Sequence, residues 1–434
     1  MPQAPDRDFK RRFVQALQDR PLDVEDADDR ELWAQLHDAE HDPVTRLFDT
    51  IDFSGGDSIQ LVMGFRGTGK TTEFSRLRRD LTEADFIVAH IDLDEYVDLR
   101  DEVGIADFLL LMTGAIREQL FRQKDLLPKE GFQASYWERA VGFLTQEVEV
   151  DELGVAFPGG VELKARLKGD QRLRQKLREQ LASRLQSLVA EVHKLHQETL
   201  TRLDEEHKAH RGLVVILDSL EHLRGGGAQE DELRIRKSVE DLFLKYGRYL
   251  QLPDTHLVLS VPAFLMLKAD ELASEFRNGQ VQAWTACRVR HPDGSTNQDA
   301  VDRMVTLIEK RGDWRPVLGE RAQLDTLVLA SGGYIRDLLN MMMEAVHLAG
   351  RVGPQDVAGK TIDRTRNAYG AVLREELDLL GRIGKTRNLS LVSTTEMSMV
   401  ENFLDSHLLL PYRNDTFWYS VHPLIELGEG VSSA

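Results

Sequence analysis

The chain has 434 residues, which is too long for one ordinary hydrophobic core, so two or three domains are expected. Apolar residues make up 41% and charged residues 29%, proportions that exclude a largely disordered chain. The net charge of -18 argues against broad electrostatic attraction to nucleic acid, although it is compatible with a local basic patch.

No apolar run reaches the ~20 residues that a membrane helix needs, and the N-terminus turns charged at once, unlike a secretory signal. Cys287 is the single cysteine, which excludes an intrachain disulfide and a cysteine-based zinc site. We therefore expect a cytoplasmic protein that does not bind a membrane.

The first fifty residues are polar and mostly helical in pattern, and they predict an N-terminal helical segment over 1–50. From Ser58 onward, short apolar strands alternate with helical stretches, a pattern typical of a parallel sheet with crossover helices. The predicted strands are Ile59–Met63, Phe86–Ile91, Leu213–Leu217, His256–Val261 and Trp284–Val289. The α/β core therefore comprises 51–100 and 211–295.

A long insertion, 101–210, separates the second and third predicted strands. Alternating apolar residues between Val148 and Leu167, around the turn Pro158-Gly159-Gly160, predict a β-hairpin. Leucines and valines between Leu173 and Leu195 recur at three- and four-residue spacing and predict one long helix. Such a helix either packs along its own domain or projects as an arm that senses a partner.

The C-terminal part is predicted to contain two units. Residues 296–355 have only helical patterns and form a lid. In 356–434, helices around Ala371–Leu380 and Glu396–Ser406 precede an apparent hairpin made of Leu408–Tyr412 and Phe417–Val421. Helices followed by a two-stranded hairpin indicate a winged helix. The fold class is thus α/β, a parallel sheet with a large helical and hairpin insertion, a helical lid and a C-terminal winged helix. The motif GFRGTGKT at 64–71 makes this sheet the sheet of a P-loop NTPase.

The clearest motif is GFRGTGKT at 64–71, which matches G-x-x-x-x-G-K followed by Ser or Thr. It directly follows a predicted strand and precedes a predicted helix over 71–81, as a phosphate-binding loop requires. Glycines let successive backbone N–H groups point at phosphate oxygens, and the helix N-terminus adds partial positive charge. The predicted nucleotide-binding residues are Gly64, Arg66, Gly67, Thr68, Gly69, Lys70, Thr71 and Thr72.

The same motif predicts a site for ATP and Mg²⁺. Lys70 is expected to reach the β- and γ-phosphates, and the Thr71 hydroxyl to coordinate the metal. Asp218 ends a continuous apolar strand and is the second predicted metal ligand, because parallel strands deliver such carboxylates to the edge where ligands bind. Glu221 is either the catalytic base that orients the attacking water or a solvated residue at a helix start.

Four stretches occur in the order GFRGTGKTT, LVVILDSLEHL, HLVLSVPAF and ASGGYIRDLL. They resemble the motifs of AAA+-related ATPases, nearest the origin-recognition and signal-transducing STAND branches, over roughly 42–348. Hydrolytic members of the family usually carry glutamate where Ser219 stands here, so the resemblance is compatible with tight ATP binding and slow hydrolysis. The pair Asp218 and Glu221 is similar to the STAND branch.

The resemblance also implies three further site residues. Ser260 occupies the first sensor position, where a polar side chain detects the γ-phosphate; the alternative is a strand-end serine facing solvent. Arg336 looks like the second sensor on the lid; the alternative is a surface salt bridge. Arg277 matches the position of the arginine finger donated to a neighbouring subunit, on its position alone.

These observations favour an ATP-binding and hydrolysing switch that changes conformation or oligomerises with ATP, with a role in bacterial signalling or defence implied by analogy. Homo-oligomers and a protein partner, reached through the insertion or the winged helix, are the expected partners. The alternative is a DNA-binding ATPase such as a replication initiator, loader or transposition regulator. DNA is disfavoured because Arg413 is the only Lys or Arg between 391 and 430. A metabolic kinase is the least favoured class.

Overall fold

The computed structural model describes residues 5–98, 101–123, 126, 133–147, 160–222, 229–276, 280–368, 373–413 and 416–425. The chain divides into two compact units. The first contains Met1–Pro43, Gly64–Arg76 and Ala283–Ala434, and the second contains Val44–Met63 and Leu77–Gln282. Within the described part of the chain, no helix combines the length and the apolar character needed to span a bilayer.

The strands are β1 (Ser58–Gly64), β2 (Ile87–Asp92), β3 (Leu213–Asp218), β4 (Thr255–Val261), β5 (Gln280–Trp284), β6 (Leu409–Arg413) and β7 (Phe417–Val421). The helices up to the third strand are α1 (Arg7–Ala16), α2 (Ala27–Leu32), α3 (Pro43–Asp52), α4 (Lys70–Glu83), α5 (Ile105–Arg122), α6 (Gln133–Glu147), α7 (Gly160–Gly169), α8 (Gln171–Leu181) and α9 (Leu185–Glu206). The later helices are α10 (Gln229–Glu240), α11 (Ala269–Glu275), α12 (Gln298–Glu309), α13 (Arg315–Leu318), α14 (Arg321–Ala330), α15 (Ile335–Leu348), α16 (Pro354–Ala368), α17 (Arg374–Thr386) and α18 (Met397–Asp405).

Five strands form one sheet in the order β2-β3-β4-β1-β5. The pairings of β1 with β4, β4 with β3 and β3 with β2 are parallel. Every residue of β1, β3 and β4 is buried, as expected for strands covered on both faces. The predicted α/β parallel sheet is therefore confirmed, and β4, which carries Ser260, lies between the strand that leads into the phosphate loop and the strand that ends at Asp218.

The fifth strand was predicted at Trp284–Val289, and this is wrong by most of its length, since β5 ends at Trp284. Cys287 and Val289 are instead buried in the helical core of the first unit. The backbone N–H of Cys287 donates to the carbonyl of Gly333 at 3.1 Å, so this segment is held by a helix-connecting turn and not by a strand. Burial also raises the pKa of the Cys287 thiol to about 11, which makes it unreactive.

The β-hairpin predicted in the insertion is wrong in its second half. Residues from Gly160 onward form α7, and the first predicted strand, 148–157, lies outside the described residues. Leu163 and Leu167 are both buried, and their four-residue spacing places them on one face of the helix. Alternation with a period of two also contains every fourth residue, which is why the pattern was compatible with either structure.

The single long helix predicted from Leu173 onward is two helices, α8 and α9, separated by the exposed residues 182–184. The second of them packs against α5 and against the sheet, where His196 Nε2 lies 2.7 Å from the hydroxyl oxygen of Thr255 in β4. This helix therefore packs along its own unit and is not a projecting arm.

Helices α12 to α16 supply most of the core of the first unit, together with Phe13, Leu17 and Leu424. Val357 and Ala358 of α16 belong to that core, so the lid boundary predicted at 355–356 falls within the first turn of this helix. Strands β6 and β7 form the predicted antiparallel hairpin, with Leu409 opposite Val421.

His196 gives the second unit a stability that depends on pH. Burial lowers the pKa of His196 to about 4. An unfolded histidine has a pKa near 6.5. As the pH falls from about 6.5 towards 4, the unfolded chain therefore binds a proton at this residue and the folded chain does not, so the free energy of unfolding decreases. We expect His196→Gln to lower the free energy of unfolding at about pH 7.5. Because the variant lacks the titrating imidazole, the difference between its free energy of unfolding and that of wild type should shrink by about 2 kcal/mol at about pH 5. Thermal unfolding at both pH values measures this, and an unchanged deficit would contradict it.

Candidate nucleotide site

The loop between β1 and α4 has the conformation that its glycines predict. Gly67 and Gly69 have φ angles of +86° and +90°, in the left-handed region that glycine adopts without strain. A Cβ on Gly64 would lie 2.9 Å from the carbonyl oxygen of Trp284, so that position has no room for a side chain. Gly67 and Gly69 are thus required by their left-handed backbone conformation, and Gly64 by the close approach of the Trp284 backbone.

Lys70 begins α4 and is only 4% exposed. Its ammonium donates to the carbonyl oxygens of Phe65 at 2.6 Å and Gly64 at 3.3 Å, both in the same loop. Thr68 also donates to the Phe65 carbonyl, at 2.9 Å. The lysine predicted to bind phosphate therefore lies inside the loop, where its charge is partnered by backbone oxygens.

The other predicted loop residues are more accessible. Arg66 is exposed, and Thr71 is half-buried in the first turn of α4. The hydroxyl oxygen of Thr72 accepts a hydrogen bond from the backbone N–H of Leu22 at 3.0 Å. This hydrogen bond links Thr72 to the N-terminal segment; that Thr72 binds nucleotide stays a prediction.

An N-terminal segment, residues 19–37, packs on the loop and on α4; we call it the strap. Besides the contact with Thr72, the backbone N–H of Val24 donates to Ser75 Oγ at 3.1 Å, and Trp33 Nε1 donates to Glu73 Oε1 at 3.2 Å. Sequence reasoning assigned this segment no part in the site, because contacts between residues about fifty apart leave no periodic signal.

Arg76 anchors the end of the strap to α4. Its buried guanidinium forms an ion pair with Asp42, donates to Gln35 Oε1 at 2.7 Å and lies 5.4 Å from the ring centroid of Trp33. Glu73 Oε2 is 3.1 Å from Arg76 Nε. Because a buried charge without its partners is strongly destabilising, this network fixes the strap against the helix that begins at Lys70.

Arg336, the predicted second sensor, lies on the loop. A Cβ on Gly67 would come within 2.7 Å of Arg336 Cζ, which places the guanidinium directly over that glycine. Arg336 Nε donates to the carboxylate of Asp19 in the strap, so the alternative interpretation, a salt bridge, also applies. The arginine is thus at the loop but engaged by an acidic side chain.

A small cleft lies between the strap, the loop and the start of α15. It is lined by Asp19, Arg20, Trp33, Gly67, Thr68, Gly69, Arg311 and Ile335, among others. Its cavity volume is about 60 Å³, far below the roughly 300–1,000 Å³ of typical small-molecule sites. A nucleotide can enter this cleft only if the strap or the lid moves.

Arg311 is a cation of this cleft that the sequence gave no reason to select. Burial lowers its pKa to about 10, so it stays protonated at neutral pH. It donates to the backbone carbonyl oxygens of Leu32 in the strap, at 3.2 Å, and Leu307 in α12, at 2.8 Å. The cleft lining also contains the cation Arg20 and the carboxylates Asp19 and Glu73.

In the second unit, Asp218 ends β3 and is 1% exposed. One carboxylate oxygen accepts from the backbone N–H of Ser219 at 2.8 Å, and the other lies 3.7 Å from Nε2 of His90 in β2. Ser219 has a φ of +75°, an uncommon conformation for a residue other than glycine, and strain of this kind concentrates at functional sites. His90 was not predicted from the sequence.

Glu221 and Ser260 contact each other. Ser260 is fully buried; its hydroxyl donates to Glu221 Oε2 at 2.8 Å and accepts from the backbone N–H of Leu220 at 3.2 Å. The alternative of a solvent-facing serine is therefore wrong. Glu221 is 9% exposed in the 3₁₀ turn Leu220–His222, so the alternative of a solvated carboxylate is also wrong. The predicted base and the predicted first sensor are hydrogen-bonded to each other.

Each of the two predicted magnesium ligands carries a hard oxygen atom, the type of donor that Mg²⁺ prefers: Asp218 in the second unit has a carboxylate, and Thr71 in the first has a hydroxyl. No group of three or more metal-ligating side chains occurs in the part of the chain that the structure describes. Arg277, the predicted arginine finger, lies outside the described residues, so its role stays a prediction.

No family model matches the chain, and a search of curated proteins gives no match. Among solved structures, the chain is similar to a Walker-type ATPase of Pyrococcus abyssi, with 13% identity, a TM-score of 0.44 and coverage of 94% of this chain and 98% of that chain. It is similar to the ORC2 protein of Aeropyrum pernix in its ADP form (11% identity, TM-score 0.40, coverage 96% and 95%). It is also similar to Cdc6p from Pyrobaculum aerophilum (12% identity, TM-score 0.34, coverage 91% and 94%). These similarities are distant, and the fold assignment rests on the strand order and the loop.

The contact between Asp19 and Arg336 predicts an effect on nucleotide affinity. Because Arg336 has to leave Asp19 before it can reach a phosphate, Asp19→Asn should strengthen ATP binding about two- to fivefold, the range expected for a partly exposed ion pair. Arg336→Ala should weaken it. Titration with a fluorescent ATP analogue measures both, and Asp28→Asn, an exposed change in the same strap, is the control. Weaker ATP binding by Asp19→Asn would contradict the interpretation that Asp19 competes with a phosphate for Arg336.

Proposed function

We propose that this protein is an ATP-binding switch of the AAA+ type, with slow hydrolysis. The observation that carries the proposal is the loop at 64–71, in which left-handed glycines surround a buried lysine and a lid arginine lies on top. The distinctive feature is that both cations are already paired with oxygen atoms of this chain. Binding a triphosphate then exchanges one set of oxygen partners for another.

In this proposal, Lys70 leaves the carbonyls of Phe65 and Gly64 to bind the β- and γ-phosphates, and the loop N–H groups bind the remaining oxygens. Thr71 and Asp218 are the residues that would hold a magnesium ion, which would neutralise phosphate charge. The expected base is adenine, on the family resemblance.

Slow hydrolysis follows from the contact between Ser260 and Glu221. We assign Glu221 as the general base that orients the attacking water. Its Oε2 accepts the Ser260 hydroxyl, so one lone pair of this oxygen is already occupied and fewer positions remain for the attacking water. If Ser260 turns towards the γ-phosphate when ATP is bound, it releases the base at the same time. This makes turnover depend on nucleotide state.

The lid provides a route by which the nucleotide state reaches the C-terminal hairpin. The turn that precedes Arg336 is contacted by Tyr412 of β6, whose hydroxyl donates to the Gly332 carbonyl at 2.5 Å. His407 lies between Tyr334 of the same turn and Phe65 of the loop, with ring centroids 4.7 Å and 5.5 Å away. A shift of Arg336 from Asp19 to a phosphate displaces this turn, and the differential contacts supply the energy that a switch needs. Oligomerisation, or binding of a protein partner, is the proposed output.

Lys70→Ala tests the binding half of the proposal. A ligand at 100 times its dissociation constant stabilises the folded state by about 2.7 kcal/mol, so wild type should show a clear rise in melting temperature with MgATP. Lys70→Ala should lose this rise, because the buried cation that binds the phosphates is gone. Lys194→Ala, an exposed lysine in α9, should keep it. Equal rises in melting temperature with MgATP in all three proteins would show that the loop does not bind the nucleotide.

Glu221→Gln tests the hydrolytic half. The amide keeps the size of the side chain but cannot accept a proton from water, so ATP turnover should fall roughly 100-fold or more while ATP affinity stays within about twofold. Steady-state phosphate release and equilibrium binding measure the two quantities separately. Glu205→Gln, at an exposed position of α9, is the matched control. Retained turnover in Glu221→Gln would show that another group is the base.

A further inference from the structure

Arg336 lies in the first turn of α15, and the next residue, Asp337, faces a buried histidine from the C-terminal end of the chain. We propose that this histidine, His422, positions Arg336 over the phosphate loop by holding Asp337. His422 Nε2 lies 3.0 Å from Asp337 Oδ2, and the histidine is fully buried. The inference rests on the proposed function, because it concerns Arg336 as a ligand of the γ-phosphate.

The start of α15 itself lies on the loop, and not only the flexible end of Arg336. A Cβ on Gly67 would lie 3.0 Å from Arg336 Cβ, and a Cβ on Gly69 would lie 3.1 Å from Ile335 Cδ1. The place that Arg336 takes against a bound phosphate therefore depends on where this helix begins. A misplacement of about 1 Å is enough to impair a contact to a reacting group.

No local side-chain cap holds the N-terminus of α15. Tyr334 occupies the N-cap position, and its side chain makes no capping hydrogen bond. Gly332 and Gly333 precede it with φ angles of +60° and +77°, and glycine has little intrinsic preference for one backbone conformation. Contacts with other parts of the first unit therefore have to fix the start of this helix.

The C-terminal hairpin supplies such contacts on the turn before α15. The Tyr412 hydroxyl donates to the Gly332 carbonyl at 2.5 Å. A Cβ on Gly332 would lie 2.7 Å from Leu410 Cδ1, so β6 packs directly against the turn. His422, which follows β7, adds the contact with Asp337 inside the first turn of the helix. The hairpin thus holds both the turn and the helix that carries Arg336.

The imidazole of His422 is oriented from its other side. The backbone N–H of Leu424 donates to His422 Nδ1 at 3.2 Å, and the Leu424 side chain belongs to the hydrophobic core of the first unit. Because Nδ1 accepts this hydrogen bond, the hydrogen of a neutral imidazole is on Nε2, the atom that faces the Asp337 carboxylate. A chain of contacts therefore links the core to the residue next to Arg336.

This chain of contacts couples the C-terminal hairpin to the nucleotide. If the start of α15 is held by His422, a displacement of the hairpin moves Arg336 and changes the affinity for ATP. Coupling of this kind is reciprocal, so ATP binding changes the stability of the hairpin contact by the same factor. The regulation acts on the triphosphate form in particular, because Arg336 is the proposed ligand of the γ-phosphate.

A double-mutant cycle on nucleotide affinity tests the positioning role. His422→Leu should weaken binding of a fluorescent ATP analogue about three- to tenfold, and binding of the ADP analogue by less than about twofold. In an Arg336→Ala background, His422→Leu should cause no further loss, because the residue through which it acts is gone. Equal losses in the two backgrounds, or equal losses for ATP and ADP, would overturn the proposal.

Conservative variants separate this role from folding. His422→Gln keeps an N–H at the ε position and should retain most of the ATP affinity. Asp337→Ala, at the more exposed end of the contact, should reproduce the loss seen in His422→Leu. His347→Leu, an exposed change in the last turn of the same helix, is the control and should bind ATP like wild type. Wild-type affinity in Asp337→Ala, or no rescue by His422→Gln, would overturn the proposal.

A measurement without nucleotide keeps this result separate from the ATP proposal. Hydrogen–deuterium exchange over 338–341, where the first hydrogen bonds of α15 close, should be faster in His422→Leu than in wild type and unchanged in His347→Leu. Unchanged exchange in His422→Leu would overturn the anchoring of the helix. Faster exchange in a protein whose wild type does not bind ATP would overturn the ATP proposal and still confirm the anchoring. Thermal unfolding shows that each variant folds.

Discussion

The buried ammonium of Lys70 depends on the carbonyl oxygens of Phe65 and Gly64 for its partners. Removing an ionised group from water costs several kcal/mol unless hydrogen bonds compensate. The loop therefore neutralises its own lysine, and a ligand can displace these carbonyls only by offering better oxygen atoms. We propose that a triphosphate does so, because its oxygens carry charge and can accept hydrogen bonds from the loop N–H groups. Arg336 follows the same rule with Asp19 as its partner.

This requirement joins elements that are far apart in the sequence. The strap is held to α4 by hydrogen bonds to Thr72, Ser75 and Glu73, and Arg336 begins the lid helix that lies over the loop. When Arg336 leaves Asp19, the strap and the lid lose a contact that stabilises their present positions. The cleft of about 60 Å³ then has to open. We therefore propose that the N-terminal segment, the loop and the lid move together within the first unit when nucleotide binds.

Much of this arrangement could be predicted from the sequence because it follows from local patterns. Continuous apolar runs located β1 to β4, and the loop motif located Lys70 and its glycines. The order of motifs placed Arg336 on the lid and Ser260 in β4. Other features depend on tertiary contacts. The apolar run around Cys287 is buried by helices, although it resembles a strand in sequence. The spacing of Leu163 and Leu167 fits both a helix and a strand, and no glycine or proline marks the break before Leu185. The contacts of Asp19, Arg311 and His90 join distant segments, so no local pattern indicates them.

Hydrogen–deuterium exchange with and without saturating MgATP tests most directly whether Lys70 and Arg336 replace their present oxygen partners by phosphate, since it follows the loop and the strap in one experiment. The account predicts slower exchange over 64–72, where amides become phosphate ligands. It also predicts faster exchange over 19–24, where the Leu22 and Val24 amides lose their bonds to Thr72 and Ser75. If exchange over 64–72 is the same with and without nucleotide, for ATP and for GTP alike, the account is contradicted.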